Sequence, residues 1–533
     1  MTQCSKWAEN VVMMGTPFKG VFSFKYHPWG REMHDSNTWK NVGQKAAQMG
    51  YTVTMMNRAF WTIDMHQESV LYLLPTKTPD ATDFSSTRFD PALEMSPHLE
   101  NMFSDVKNVG TKRAGSAVLY IRGSNSRASL KSIPVAKIFF DEVDEMKQEN
   151  IPLAIERMSG QMNKQEWYIS TPTLPGFGIN KEYLESTQEH FIFSCPSCNK
   201  AIELVHENLV ITGEDVTDTN IKNSFIQCLE CKTSLTNPKD STWEYADRKA
   251  EMLKDAIWVP QQTADSRGFY INQLYSPTVT PHELAKAYLR ALTNKSSEQE
   301  YHNSKMGDAH EVEGARISNE MLNDCIKYPN KLDGPIPDTI MTMGVDVGRW
   351  LHYEVTSYAV TRFGRDINVM SDARLVAEGK VAEFDELDYL MRKFQIVQCV
   401  IDASPERRKA TEFAKRFMGF VKICFYAKGI TSKSISTDES EFKISVDRTS
   451  WLDMGLSRFH NKSISINQDT SQEYRNQIQN IARIYEEDKD GNQVGRYIKN
   501  GDDHFAHART YSEIALPLAA MKFTGHTDIG SFL

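Results

Sequence analysis

The sequence predicts an α/β protein made of two α/β regions separated by a small metal-stapled module. Three observations carry that expectation. Short apolar runs alternate with helical stretches from about residue 39 to 190. Two Cys-x-x-Cys pairs follow between 191 and 245. A second strand-and-helix alternation starts near 336 and continues onward. A chain of 533 residues is too long for one core and divides into two or three domains. The expected organisation is a first α/β domain over 1–190, the cysteine module over 191–245, a connecting segment over 246–335, and a second α/β domain over 336–533.

The first domain is read from its strands. Val70–Pro75 (VLYLLP), Ala117–Ile121 (AVLYI), Lys137–Phe140 (KIFF) and Trp167–Ser170 (WYIS) are short apolar runs of the kind that fills a buried parallel sheet. Ahead of them, Gln44-Lys45-Ala46-Ala47-Gln48-Met49-Gly50-Tyr51-Thr52 leads into a helical stretch ending near Gln67. A loop closing onto a helix N-terminus offers free N–H groups and the positive end of the dipole to a phosphate. Lys45 would supply charge and Thr52 a hydroxyl within reach of Mg²⁺. The usual G-x-x-x-x-G-K-[ST] spacing is absent, with the lysine at the front of the loop and Tyr51 in its normal place. Taken alone, the segment reads more readily as a plain loop.

The run Lys137–Phe140 ends in Asp141-Glu142, which places two carboxylates at a rigid sheet edge. Such an aspartate can hold Mg²⁺ through water, and the glutamate can orient or deprotonate an attacking water. Ser170-Thr171-Pro172-Thr173 follows the next strand and sets small hydroxyls at its tip, where a γ-phosphate could be sensed. Cys195-x-x-Cys198 and Cys228-x-x-Cys231 are separated by 29 residues. Four thiolates in two knuckles suit a closed, structural Zn²⁺ site. The N-terminal residues show no apolar stretch followed by small ones, so export is not expected. The cysteines then favour metal over disulfides. A helical stretch near Pro281–Asn294 lies in the connecting segment.

In the second α/β region Asp346 ends the strand in MGVDVG, Asp402 ends the strand in CVIDA, and Asp503 opens a helix running through Tyr511. Carboxylates at strand ends and helix starts can converge on two divalent cations for phosphodiester cleavage. Their order and apolar contexts resemble the RNase H/integrase fold. Arg407, Arg408, Lys409, Lys415 and Arg416 fall on one expected helix, which is either a DNA-contacting face or an ordinary solvated one. The net charge of −9 argues against a protein that simply coats nucleic acid. No apolar run approaches the roughly 18 residues of a membrane span, so no membrane is expected.

The ordered series resembles the large terminase subunits of tailed bacteriophages, in the lambda-like (GpA-type) branch. Tyr26–Met33 (YHPWGREM), Phe84–Pro91 (FSSTRFDP), Gly268–Pro277 (GFYINQLYSP) and Tyr301–Gly307 (YHNSKMG) extend the likeness across nearly the whole chain. The resemblance implies a RecA-like P-loop ATPase domain with a zinc-ribbon insertion, followed by an RNase H-like nuclease domain. It makes Lys45, Gln48, Gly50, Tyr51, Thr52, Asp141, Ser170 and Thr171 nucleotide-binding residues and Glu142 the catalytic base. Tyr26–Met33 would approach the nucleotide base. Asp346, Asp402 and Asp503 become the nuclease catalytic residues and Mg²⁺ or Mn²⁺ ligands, joined by His504, with Asp502 behind them. Arg88, Arg58 and Arg127 are candidates for an arginine acting on a neighbouring subunit's nucleotide. The implied partners are double-stranded DNA, a portal protein and a small terminase subunit, with the chain in a pentameric ring in the host cytoplasm. The chain departs from the family pattern in its polar strand Thr38–Gly43, in Ala46 and in Tyr51. The competing readings are a helicase-nuclease of restriction or repair type and a zinc-stabilised DNA-binding scaffold with degenerate sites.

Overall fold

The computed structural model describes residues 3–524 apart from 105, 132, 364–365, 428–429, 431–433 and 488–492. It divides into two compact units, Met1–Val312 and Glu313–Leu533.

The first unit is built on one sheet. Its strands used below are β1 (Lys40–Lys45), β2 (Val70–Leu74), β3 (Ala117–Gly123), β4 (Lys137–Asp141), β5 (Gln165–Ser170), β6 (Glu189–Ser194) and β7 (Arg267–Ile271). They lie side by side in the order β6-β7-β1-β5-β4-β2-β3, and each neighbouring pair is parallel. Strand β5 therefore separates β1 from β4, and the loops beyond their carboxyl ends meet on one edge. Strands β2 and β5 are buried at every position, as a parallel sheet covered on both faces requires. The polar β1 fits because its buried amides are satisfied. Asn41 takes the Ser36 hydroxyl at 2.5 Å and donates to the Thr38 carbonyl, and Gln44 donates to the Gly307 carbonyl while accepting from Asn180. Helices α1 (Tyr51–His66), α2 (Gly178–Leu184) and α3 (Thr242–Leu253) belong to this unit.

The expected connecting segment does not behave as a separate piece. Its strand β7 pairs with β1 from Arg267↔Asn41 to Ile271↔Lys45, so residues up to 312 complete the first unit and only the remainder belongs to the second.

The second unit carries β8 (Thr339–Val347), β9 (Leu351–Phe363), β10 (Asp366–Val381), β11 (Gln398–Asp402), β12 (Val421–Tyr426) and β13 (Lys443–Val446), with helices α4 (Arg407–Arg416) and α5 (His504–Thr524). Strands β8, β9 and β10 form an antiparallel meander, and β11, β12 and β13 extend the other edge of β8 in parallel. Helix α5 presses on β8 at Gly344, where a Cβ would lie 2.0 Å from the Ala508 carbonyl oxygen. Only glycine allows that approach.

A charged network pins α5 to the sheet from inside. The fully buried Arg509 donates to Glu354, Thr356, Tyr358 and Glu513, while Arg458 donates to Glu513 at 2.6 Å and Tyr474 to Glu354 at 2.7 Å. Removing one member strands the others. Arg509→Met is expected to destabilise the second unit by about 3–5 kcal/mol, read as a lowered urea midpoint; an unchanged midpoint would show the network to be dispensable. Among the described residues no helix is long and apolar enough to cross a membrane.

Candidate active sites

Lys45 closes β1, and the chain then turns through residues 46–50 into α1. Gln48 and Gly50 both take left-handed φ, 62° and 77°, which a loop folding back over its own helix start needs. The loop is tied from below: Ala46 N–H donates to Ile271, Ala47 N–H to Ser304, and the Gln273 amide to the Ala47 carbonyl. Its anchors thus come from the segment that follows β6. The Lys45 ammonium donates to the Thr171 hydroxyl at 3.3 Å and lies 3.7 Å from Glu142. Thr52 donates to Asp141 at 3.2 Å, and so does the Tyr72 hydroxyl at 2.6 Å. Sequence reasoning missed Tyr72, whose strand gives no sign of facing a carboxylate.

Asp141 is buried, and its Oδ1 has no hydrogen-bond partner among the described residues. Burial first, then the neighbouring Glu142 charge, pushes its carboxyl up to about 6. An orphaned buried carboxylate oxygen beside a hydroxyl and a lysine is the donor set that a hard cation with a bound phosphate satisfies. Glu142 itself sits at φ 63° with its side chain 43% exposed. A left-handed glutamate costs about 1–3 kcal/mol and is found where the surroundings impose it.

The tip of β5 is held to the tip of β4 by Asp144, which the sequence reading did not single out. Its buried carboxylate accepts from the Thr173 N–H and hydroxyl and from the Ile179 N–H at the start of α2. Gly178 passes so close, at φ 51°, that any Cβ would strike Asp144. The Ser170 hydroxyl donates to the Thr171 carbonyl and accepts from the Asp144 N–H. Thr171 therefore faces the lysine, and Ser170 faces this second layer.

A cavity of about 490 Å³ opens beside the loop, lined by Gln48, Gly50, Val53 and Thr54 together with Phe18, Tyr26 and His27 from upstream. Burial holds the His27 imidazole down at about 4, which leaves it neutral near pH 7.

The four cysteines converge, their sulfurs all within 4.8 Å of one another. Each pair forms the same knuckle. Asn199 and Lys232 take φ 61° and donate to the Cys195 and Cys228 carbonyls, and the Cys195 and Cys228 N–H groups bond Lys200 and Thr233. Four convergent thiols on two matched turns fit Zn²⁺ without a further ligand.

In the second unit the register Val345↔Ile401 sets Asp346 and Asp402 on adjacent parallel strand tips. Burial and then the Asp346 charge push Asp402 up to about 6, as a buried carboxyl beside a second one should be. His504 Nδ1 meets Asp346 at 2.8 Å, and its ring stacks on His352 at 4.5 Å. Asp503 is reached less directly. Its oxygens are engaged by Lys499 and by His507, both at 3.3 Å. Burial raises its carboxyl, but those two partners prevail and hold it well below the usual range. Among the described residues the four cysteines are the one set of three or more such donors within 4.8 Å of one another, so the three aspartates are not drawn together as tightly as the cysteines. His507, which also bonds the Tyr426 hydroxyl at 2.9 Å, was missed, although its place one helical turn after Asp503 was readable.

Several expected residues lie elsewhere. Tyr51 is buried with its hydroxyl donating to the Phe269 carbonyl, and its ring fills the space left by Gly43. Only its backbone belongs to the loop. Arg58 is fully buried and spends its guanidinium on Met33, His34 and Gln165, so it cannot reach a neighbouring subunit. Arg127 is exposed, and Arg88, also exposed, stays beside the loop, where it lines the cavity with Gln48 and Gly50. On α4, Arg407, Arg408, Lys409 and Arg416 all pair with carboxylates, which fits the solvated-face reading.

A parallel sheet with this loop and carboxylate order, followed in the same chain by a mixed sheet with carboxylates at its strand tips, is the order of an ATPase-type domain and then a nuclease-type domain. The family model described as phage terminase large subunit gpA, ATPase domain, matches residues 17–258, and that described as terminase large subunit gpA, endonuclease domain, matches 266–395. The chain belongs to the phage terminase large subunit gpA family. Over 343 residues it is 23% identical to the terminase large subunit of Escherichia phage lambda, covering 57% of this chain and 51% of that protein. It thus spans about half the length of the curated relative it matches. Among solved structures it matches the large terminase of a thermophilic bacteriophage at 15% identity, covering 92% of this chain and 98% of that one, with a TM-score of 0.31. The ATPase domain of the Thermus phage P74-26 large terminase matches at 11% identity, covering 54% and 97%, with a TM-score of 0.33. The nuclease model ends at 395, so Asp402, Asp503 and the two histidines rest on geometry alone.

Proposed function

We propose that this chain is the DNA-packaging motor of a tailed phage, coupling ATP hydrolysis to movement of double-stranded DNA into a procapsid and cutting concatemeric DNA. The observation that carries this is the pairing, in one chain of the terminase family, of the Lys45–Asp141–Glu142 constellation with the Asp346–Asp402 pair. In this reading the α1 N-terminus and Lys45 hold the triphosphate, and Asp141 and Thr52 hold Mg²⁺. That ion neutralises phosphate charge when bound. Glu142, partly exposed and 3.7 Å from Lys45, orients the attacking water and takes its proton. Loss of the γ-phosphate returns Lys45 to its contact with Thr171, and Asp144 passes the change to Thr173 and α2.

In the nuclease unit Asp346 and Asp402 would hold Mg²⁺ or Mn²⁺, which lower the pKa of water and stabilise the leaving oxygen. His504 fixes the Asp346 carboxylate, and the Asp503–His507 pair borders the same edge. The four cysteines would hold structural Zn²⁺. The partners on this reading are a portal protein, a small terminase subunit and further copies in a ring, acting in the host cytoplasm.

The rival helicase reading separates cleanly. Intact duplex should stimulate ATP turnover, and the protein should move along it without displacing a strand from forked DNA. Strand displacement at a rate matching ATP turnover would replace the motor reading with the helicase one.

A further inference from the structure

Helix α3 begins eleven residues after Cys231 and is the element that follows the cysteine module. Its first turn is fixed by a reciprocal cap between Ser241 and Glu244, and that turn delivers Trp243 to the cavity beside the phosphate loop. The rings there form a set. Phe18 and Tyr26 stack at 4.4 Å, and Trp243 stands 6.2 Å from each, at 76° to Phe18. One turn further on, Asp247 accepts from the Tyr26 hydroxyl at 2.9 Å and from Lys25 at 2.7 Å, tying α3 to the upstream segment. Trp243 is nevertheless 56% exposed. A tryptophan held by a capped helix, beside two stacked aromatics and open on one side, is costly to leave in water and suited to an aromatic ligand.

We infer that Trp243 is a base-recognition residue of the nucleotide site, so that the helix following the cysteine module forms one wall of the ATPase pocket. This rests on the ATPase reading above. The cavity is lined by both the loop and Trp243, and its volume of about 490 Å³ is within the range of small-ligand sites. With the triphosphate on the α1 N-terminus, the base is the part of the nucleotide left to fill an aromatic cavity. Stacking of this kind is tolerant among bases, so it contributes affinity for any purine nucleotide over a bare polyphosphate.

The test uses the full chain with ATP and, as competitor, inorganic tripolyphosphate. Trp243→Ala should raise KM for ATP roughly 5- to 50-fold with kcat within about twofold, and should leave inhibition by tripolyphosphate unchanged. Trp243→Phe should recover most of the loss, and Asp247→Ala should give a smaller rise in KM. Lys45→Ala reports separately on the parent reading, because it should abolish turnover whatever Trp243 does. An unchanged KM in Trp243→Ala, or an equal weakening of ATP and tripolyphosphate, overturns the inference while Lys45→Ala stays inactive. Turnover that survives Lys45→Ala overturns the ATPase reading itself.

Discussion

Glu142→Gln is expected to lower ATP turnover by roughly 10²- to 10⁴-fold, the range a positioned general base contributes, while DNA cleavage continues. The substitution keeps the shape and hydrogen-bonding reach of the side chain and removes only its basicity. Glu142 is the one carboxylate of the β4 tip that is partly exposed, since Asp141 is buried and committed to Thr52 and Tyr72. Its left-handed φ of 63° aims it from the strand end, and glutamine at the same position tolerates that conformation no worse. Nucleotide binding should therefore persist, so that ADP affinity and turnover part company. Turnover at the parental rate would assign the base elsewhere.

Asp402→Asn is expected to do the reverse: cleavage falls by roughly 10³-fold, matching the several kcal/mol a bound cation supplies, and ATP turnover is untouched. The two carboxylates at the β8 and β11 tips repel each other when no cation is present, and that repulsion adds to burial in raising Asp402 to about 6. Asparagine relieves the repulsion without changing volume, so the variant should fold at least as well as the parent. Loss of cleavage with an unchanged or higher melting temperature isolates metal binding from stability. Full cleavage would remove Asp402 from the site.

Much of this is readable in the sequence because parallel strands buried on both faces announce themselves. VLYLL, KIFFD and QEWYIS form β2, β4 and β5, and the carboxylates at their ends fall where a sheet edge must put them. What is not readable depends on pairings between distant segments. Strand β7 reads as a fragment of a connector, and nothing local to RGFYI says that it docks beside Lys40–Lys45, more than two hundred residues earlier. Without that docking the loop's anchors at Ile271, Gln273 and Ser304 are also invisible. Tyr51 stands at a lysine position of the family pattern, but its direction is set by Gly43 on β1, whose missing side chain leaves a hole that an inward ring fills. Asp144 reads as a third acid in an acidic run. Its role emerges only once Thr173 and Ile179 are folded back over it. Arg58 shows the converse, since an arginine on α1 looks available in sequence and is fully buried.

The most direct test is anomalous diffraction from crystals soaked with Mn²⁺ and ADP, with data also collected at the zinc edge. The expected result is manganese at Asp141 beside Thr52, manganese between Asp346 and Asp402, and zinc among Cys195, Cys198, Cys228 and Cys231. Manganese at saturating concentration that leaves both aspartate sites empty, or binds only at acids away from β4, β8 and β11, would contradict it.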